Sequence, residues 1–347
     1  MKKYIIPIVI PYSSDKKDWI VDNQKVLGKK QEKIDKEFVE KTVNAYLERK
    51  PENSEVEVAF IGADFTNLEE GLQEEVLDCL LPYIQDGRVN GIRVSMRPDS
   101  VRKEKLKMLK KHKVKTIELE VYSTNDYILK RIGMSYTFKD IKKVSRKIRF
   151  SRFKLGHQVY IGLPDSTKID DINTAKNLTK LKTSVVDINP VLVIKDTPLE
   201  KEYQEKQYKP LAVIQALETC KEMVKIFNER NVEISAIGFE PLDSEVEQQT
   251  FVENVIEGPF HPAFRELVES GLWYDAIVNK IKKLNTKVME VEVTVNPADI
   301  NNVVGYKKEN IEKLKNTYDV DLIVTENENM KQGKSKIEIT KVFNWGE

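Results

Sequence analysis

Residues 3–24 read KYIIPIVIPYSSDKKDWIVDNQ. Seven apolar, β-rich residues, YIIPIVI (4–10), end abruptly in a polar segment, as a buried strand does when it hands the chain to a loop. The loop has no thiol, no histidine and no glycine. At its prominent positions it holds Asp15, Trp19 and Asp22.

The same handover recurs along the chain. Strand stretches are expected at 3–10, VEVAFIG (56–62), GIRVSM (91–96), TIELEV (116–121), HQVYIG (157–162), VDINPVLVI (186–194) and EISAIGF (233–239). Helical periodicity appears between them at 34–49, 72–84, 103–112, 136–150 and 211–230. In 211–230, Ile214, Leu217, Cys220, Met223, Val224 and Phe227 form one apolar stripe. Strand followed by helix, repeated about six times, predicts an α/β fold with a parallel sheet covered by helices. An open doubly wound sheet and a partial (β/α) barrel both satisfy this pattern. Both place ligands at the carboxyl ends of the strands, where the loop at 11–24 lies.

At 347 residues the chain is long enough for one large domain and a small appendage. The 57 basic and 56 acidic residues nearly cancel, so any nucleic-acid surface must be a local patch. Cys79 and Cys220 are the only cysteines. Their apolar helical contexts read as buried thiols of a reducing, cytoplasmic protein. The longest apolar run is too short to span a bilayer and contains Pro7, so no membrane partner and no signal peptide are expected.

After residue 285 the pattern changes. VMEVEVTV (288–295) alternates as a half-exposed antiparallel strand does. Two short helices follow around Gly305, and then strands at 320–326 and 336–342 flank a polar stretch that reads as a hairpin. The expected organisation is a barrel-like domain over 1–284 and a β-α-α-β-β module over 285–347.

The loops after the strands carry the most information. GADFT (62–66) follows the second strand, SMRPD (95–99) the third, and IELEVYS (117–123) contains the fourth. KLGHQ (154–158) leads into IGLP (161–164); IKDTPL (194–199) and GPFHPAF (258–264) come later. In order and spacing this succession resembles the bacterial radical S-adenosylmethionine proteins related to the catalytic subunit of Elongator. The resemblance runs through residues 4–275. It implies a partial (β/α)6 barrel whose first loop holds a [4Fe–4S] cluster through Cys-x3-Cys-x2-Cys. Asp15, Trp19 and Asp22 have that spacing, and the Asn23-Gln24 that follows the last cysteine is kept.

Cluster chemistry gives the substitution its meaning. Three thiolates hold three irons, and the fourth iron is left for S-adenosylmethionine. Carboxylates suit hard ions rather than the cluster, and the Trp19 indole has no lone pair to donate. The expectation is therefore no [4Fe–4S] cofactor and no radical chemistry. Other positions depart as well. Where the family tends to have Gly-Gly-Ser-Phe-Thr, this chain has Gly62-Ala63-Asp64, whose added methyl and charge oppose the methionine carboxylate. Tyr122-Ser123 replaces Gln-Ser, and Asp165-Ser166-Thr167 replaces a glycine-rich turn. Gly62, Ala63, Asp64, Arg97, Asp99 and His157 are the candidate ligand pocket, with S-adenosylmethionine or another small molecule as its occupant.

Val303–Ile311 resembles the helix–loop–helix centre of a KH domain, in which a Gly-x-x-Gly loop lets a phosphate backbone approach closely. Gly305 fills the first glycine position and Lys308 the second. Gly305, Tyr306, Lys307 and Lys308 are the candidate RNA-binding residues, the lysines adding salt-dependent contacts. Simpler readings stand beside these. Asp15, Asp18 and Asp22 read as a solvated loop rather than a Mg²⁺ or Ca²⁺ site. His157 reads as a packed residue rather than a general base. Arg97 and Asp99 fit an internal pair as well as a ligand contact, and the lysine-rich stretches 101–115 and 139–148 read mostly as solvated helix faces. No Ser-His-Asp set, phosphate-binding glycine loop or zinc spacing occurs. The expectation is a cluster-free protein of this fold that binds RNA. The alternatives are a non-radical enzyme or sensor with a ligand in the barrel, and a partner that regulates an active paralogue.

Overall fold

The computed structural model describes residues 2–10, 34–239 and 252–343. Asp15, Trp19 and Asp22 lie outside the described residues. The chain forms two compact units, Met1–Phe260 and His261–Glu347.

All seven strand stretches of the first unit form. They are β1 (Lys2–Val9), β2 (Ser54–Ile61), β3 (Gly91–Met96), β4 (Val114–Tyr122), β5 (Lys154–Ile161), β6 (Val185–Pro190), the short β7 (Val193–Ile194), and β8 (Glu233–Ile237). A three-residue β9 (Val255–Glu257) pairs antiparallel with β7. The main sheet runs β1-β2-β3-β4-β5-β6-β8, and every pairing in it is parallel. This is the curled, partial (β/α) barrel. Pro7 is tolerated because β1 is an edge strand, where a missing N–H costs no ladder bond.

Strand alternation sorts the two faces. Ile6 and Ile8 of β1, Val58 and Phe60 of β2, and Val94 and Met96 of β3 are fully buried on the helix-covered face. The other face carries Glu57, Arg93, Glu118 and Gln158, joined by hydrogen bonds across the curl. Helix starts follow capping rules: Thr137 with Asp140 and Thr167 with Asp170 each form a reciprocal capping box. The stretch 72–84 is two helices, Glu70–Asp78 and Leu81–Gln85, because Pro82 begins a new one.

The second unit begins earlier than the expected boundary at 284/285. Helix Phe264–Lys282 packs Ile277, Val278 and Ile281 against Val291, Val293 and Val295, and so shares the small unit's core. The order β10 (Val288–Val295), helix Ile300–Val304, helix Glu309–Tyr318, β11 (Asp321–Glu326), β12 (Ser335–Val342) is β-α-α-β-β. The polar stretch between β11 and β12 is not a hairpin. Those strands flank β10 on opposite sides, β11 parallel and β12 antiparallel, so the segment crosses over the end of β10. Asn327 and Asn296 fasten this crossing, through Asn327 N–H to the Val295 carbonyl and Asn296 Nδ2 to the Met330 carbonyl.

Candidate functional site

The barrel's inner face is organised around Arg93 of β3. Its Nη2 and Nε donate to Glu57 Oε2 at 2.6 and 3.1 Å, and its Nη1 donates to Glu118 Oε1 at 2.7 Å and Ser235 Oγ at 2.8 Å. Thr116 donates to the other oxygen of Glu57, and Gln158 donates to Glu118 Oε2 and Ser95 Oγ. Gly156 makes the room: a Cβ there would run into the Glu118 side chain. Burial raises the Glu118 carboxyl above the usual range, although Arg93 pulls it down. Burial works against the Arg93 charge, but Glu118, Glu57 and Asp187 outweigh it and raise its pKa. The network is a buried, multiply hydrogen-bonded ion cluster, whose loss of one member leaves the others stranded.

At the carboxyl ends of the strands the candidate pocket residues are largely committed to one another. Gly62 turns the chain with φ 98 after β2. Ala63 and Asp64 are buried, but Asp64 is not a charge offered to a ligand. Its Oδ1 accepts from the N–H and hydroxyl of Thr66, and its Oδ2 accepts from the Arg97 N–H at 3.1 Å. These bonds make Asp64 a cap that ties the second loop to the third. Arg97 and Asp99 form a two-pronged pair at 3.1 Å, with Ser135 as a third member. His157 does not face this region. It sits on the helix side of β5, fully buried between Ser145 and Thr183. Burial pushes its pKa down to about 3, so it is a neutral hydrogen-bonding residue.

One feature of the mouth escapes a reading by residue type. Tyr122 closes β4 in a left-handed conformation, φ 62, while buried, and stacks on Tyr160 with ring centres 4.9 Å apart. A left-handed aromatic residue is costly and needs surrounding contacts to hold it.

Family comparisons supply the decisive observation. The radical SAM superfamily model matches residues 22–178, and the model for the radical SAM C-terminal domain matches 184–274. The chain belongs to the radical SAM superfamily. Among curated proteins, this radical SAM chain is 30% identical over 142 residues to an uncharacterized protein of Methanocaldococcus jannaschii, covering 40% of the chain and 43% of that protein. It is 24% identical over 163 residues to the tRNA uridine(34) acetyltransferase of the same organism, covering 46% of the chain and 29% of that enzyme. The chain thus matches less than half the length of these relatives. A solved structure of archaeal Methanocaldococcus infernus Elp3 with an N-terminal deletion (1–46) superposes with TM-score 0.58 at 18% identity. That match covers 81% of this chain and 64% of the Elp3 chain, and it establishes likeness of fold.

The fold family's cofactor does not fit the donors present. A [4Fe–4S] cluster of this family needs three thiolates, and the radical SAM chain has two cysteines. Both are buried, Cys79 at the C-cap of helix Glu70–Asp78 with its thiol bonded to the Val76 carbonyl, and Cys220 inside helix Val213–Asn228. Burial pushes the Cys79 thiol up to about 12 and raises Cys220 as well, so both stay protonated at neutral pH. Among the described residues no three His, Cys, Asp or Glu side chains are grouped to hold a metal. No helix there is long and apolar enough to cross a membrane.

In the second unit, the loop between the two short helices has a definite shape. Gly305 has φ 84, and a Cβ there would lie 2.9 Å from the Asn310 backbone nitrogen. The buried Asn310 amide donates to the carbonyls of Ser270 and Val303, bracing the loop from beneath. Lys307 and Lys308 are exposed and both left-handed, with φ 49 and 67. Lys308 therefore adopts at the second glycine position a conformation that glycine favours. Tyr306 stands edge-on to His261, and Lys307 Nζ lies 5.2 Å from the Tyr306 ring centre.

Proposed function

We propose that this chain is a cluster-free member of the radical SAM superfamily that acts by binding RNA. The observation that carries the first half is the donor set. Two buried, protonated thiols cannot supply three thiolate ligands, and the positions that the family uses hold Asp15, Trp19 and Asp22.

The RNA half is supported by the small unit. Its β-α-α-β-β order, the tight turn at Gly305 and the two exposed left-handed lysines suit a KH-like phosphate contact. The relative named as a tRNA uridine(34) acetyltransferase agrees with this direction by analogy. A mixed-sequence single-stranded RNA should bind with strong salt dependence. Replacing Lys307 and Lys308 together with Gln should lower the salt slope by up to about 1.4, two single-strand phosphate contacts. Binding that is absent, or indifferent to both lysines, contradicts this role.

A second reading has one observation in its favour. Among the described residues, the carboxylates of Glu57, Glu118 and Asp187 gather about Arg93 on the barrel's inner face. An excess of negative charge there suits a cationic small molecule such as S-adenosylmethionine. Calorimetric titration separates the readings: saturable S-adenosylmethionine binding without RNA binding favours the second.

A further inference from the structure

At the opposite end of the strands, the amino ends of β3, β4 and β5 surround a hollow of about 470 Å³. Its lining includes Lys110, Lys113, Lys115, Arg152 and Lys154 around Ile84 and Val114. All five cations are exposed, and none makes an ion pair among the described residues. The carboxylate beside the hollow at Gly91, Glu57, is already committed to Arg93. Lys110 reaches the Ser151 carbonyl at 3.0 Å and lies over Phe153; this keeps its charge at the rim.

The cations come from a structural repeat. Lys113-Val114-Lys115 leads into β4, and Arg152-Phe153-Lys154 leads into β5. In each, the first residue follows a helix and is left-handed with φ 63, the second is buried, and the third is exposed. The position after a helix normally favours glycine or asparagine, so a lysine and an arginine there are held against local preference. Attraction to the helix carboxyl ends, Lys103–Lys111 and Phe138–Phe150, accounts for the first cation of each triplet. It does not account for Lys115 and Lys154, which lie beyond those ends on the strands. Five like charges around one hollow create a local positive field that favours a polyanion.

We propose that this face is a nucleic-acid backbone site, taking the phosphates of an RNA strand. The lining has charge for phosphate but no aromatic ring on which a base could stack. It therefore fits a sugar–phosphate backbone without sequence readout, rather than a nucleotide held by its base. The site lies within the first unit and does not depend on the Gly305 loop.

Labelled mixed-sequence single-stranded RNA, titrated against the full chain at several salt concentrations, tests this. Lys113→Gly, Arg152→Gly, Lys115→Gln and Lys154→Gln are combined, the glycines being placed where left-handed backbone favours them. Affinity should fall at least about tenfold at low salt, and the salt slope should drop by up to about 3. The pair Lys115→Gln/Lys154→Gln, which leaves the backbone-strained positions untouched, should give about half that drop in slope. If the fourfold variant binds like the parent while the Lys307/Lys308 variant is impaired, this site is refuted and the RNA reading survives. If the parent binds no RNA, both fail. Tripolyphosphate that saturates the hollow and is not displaced by RNA also overturns the backbone assignment.

Discussion

At the scale of single residues, the structure separates side chains that look functional from those that are braces. His157 is the clearest. The unfolded imidazole titrates near its ordinary value of 6.5 and the folded one near 3, so between these the unfolded chain holds the extra proton. Stability from this group is full above 6.5 and is lost as pH falls toward 3. Asp171 works in the opposite sense: burial pushes it up to about 7, so its contribution is lost as pH rises from 3.8 through 7. The test is therefore a difference. Between pH 6.5 and about 5, urea unfolding of the parent should lose about 2 kcal/mol relative to His157→Gln. Equal pH profiles would refute a neutral, buried His157. The Gly305 loop gives a second pair. Gly305→Ala should cost about 2 kcal/mol or more through strain and contact with Asn310. Lys308→Gly should stabilise by about 1 kcal/mol by relieving left-handed backbone. Thermal melts of both variants check the signs. The packed character of His157 was readable in the sequence, but which face of the strand it takes is not, because a histidine on either face reads the same until pairing register assigns it.

At the scale of elements, the sheet was readable and its inner face was not. Runs such as GIRVSM and TIELEV announce strands through β-branched and apolar residues. The charges inside them, Arg93 and Glu118, are also a signal: a charge in the middle of a buried strand must find a partner on the same face. Period-two counting from Glu57, Arg93 and Glu118 would have placed all three inside the barrel. Helix Phe264–Lys282 was missed because its apolar positions serve the small unit's sheet, and the pattern of a helix does not say which neighbouring unit its apolar face joins. Likewise β11 and β12 read as a hairpin because they are consecutive, whereas β10 intervenes. The ion cluster belongs to this scale. Arg93→Leu strands two buried carboxylates and should destabilise by roughly 3–5 kcal/mol in urea unfolding. A loss below about 1 kcal/mol would mean the carboxylates are already neutral or hydrated.

At the scale of the whole molecule, the barrel has the architecture of the radical SAM superfamily, and the chain has two cysteines, both buried. Fold and cofactor are separable because the sheet is specified by many apolar positions and the cluster by three thiolates. Near-neutral net charge likewise hides two local cationic features, the Gly305 loop and the hollow at the amino ends of β3 to β5. Composition averages over both, which is why the second is visible only once the strands are side by side. The family resemblance was legible because loop motifs recur in order along the chain. The most direct test of the account is anaerobic reconstitution of the purified protein with iron and sulfide, followed by measurement of bound iron and visible absorption. The account predicts no stoichiometric iron and no cluster absorption. A stoichiometric [4Fe–4S] spectrum that survives desalting would contradict it, and would mean that ligands other than cysteine thiolates at Asp15, Trp19 and Asp22 hold a cluster.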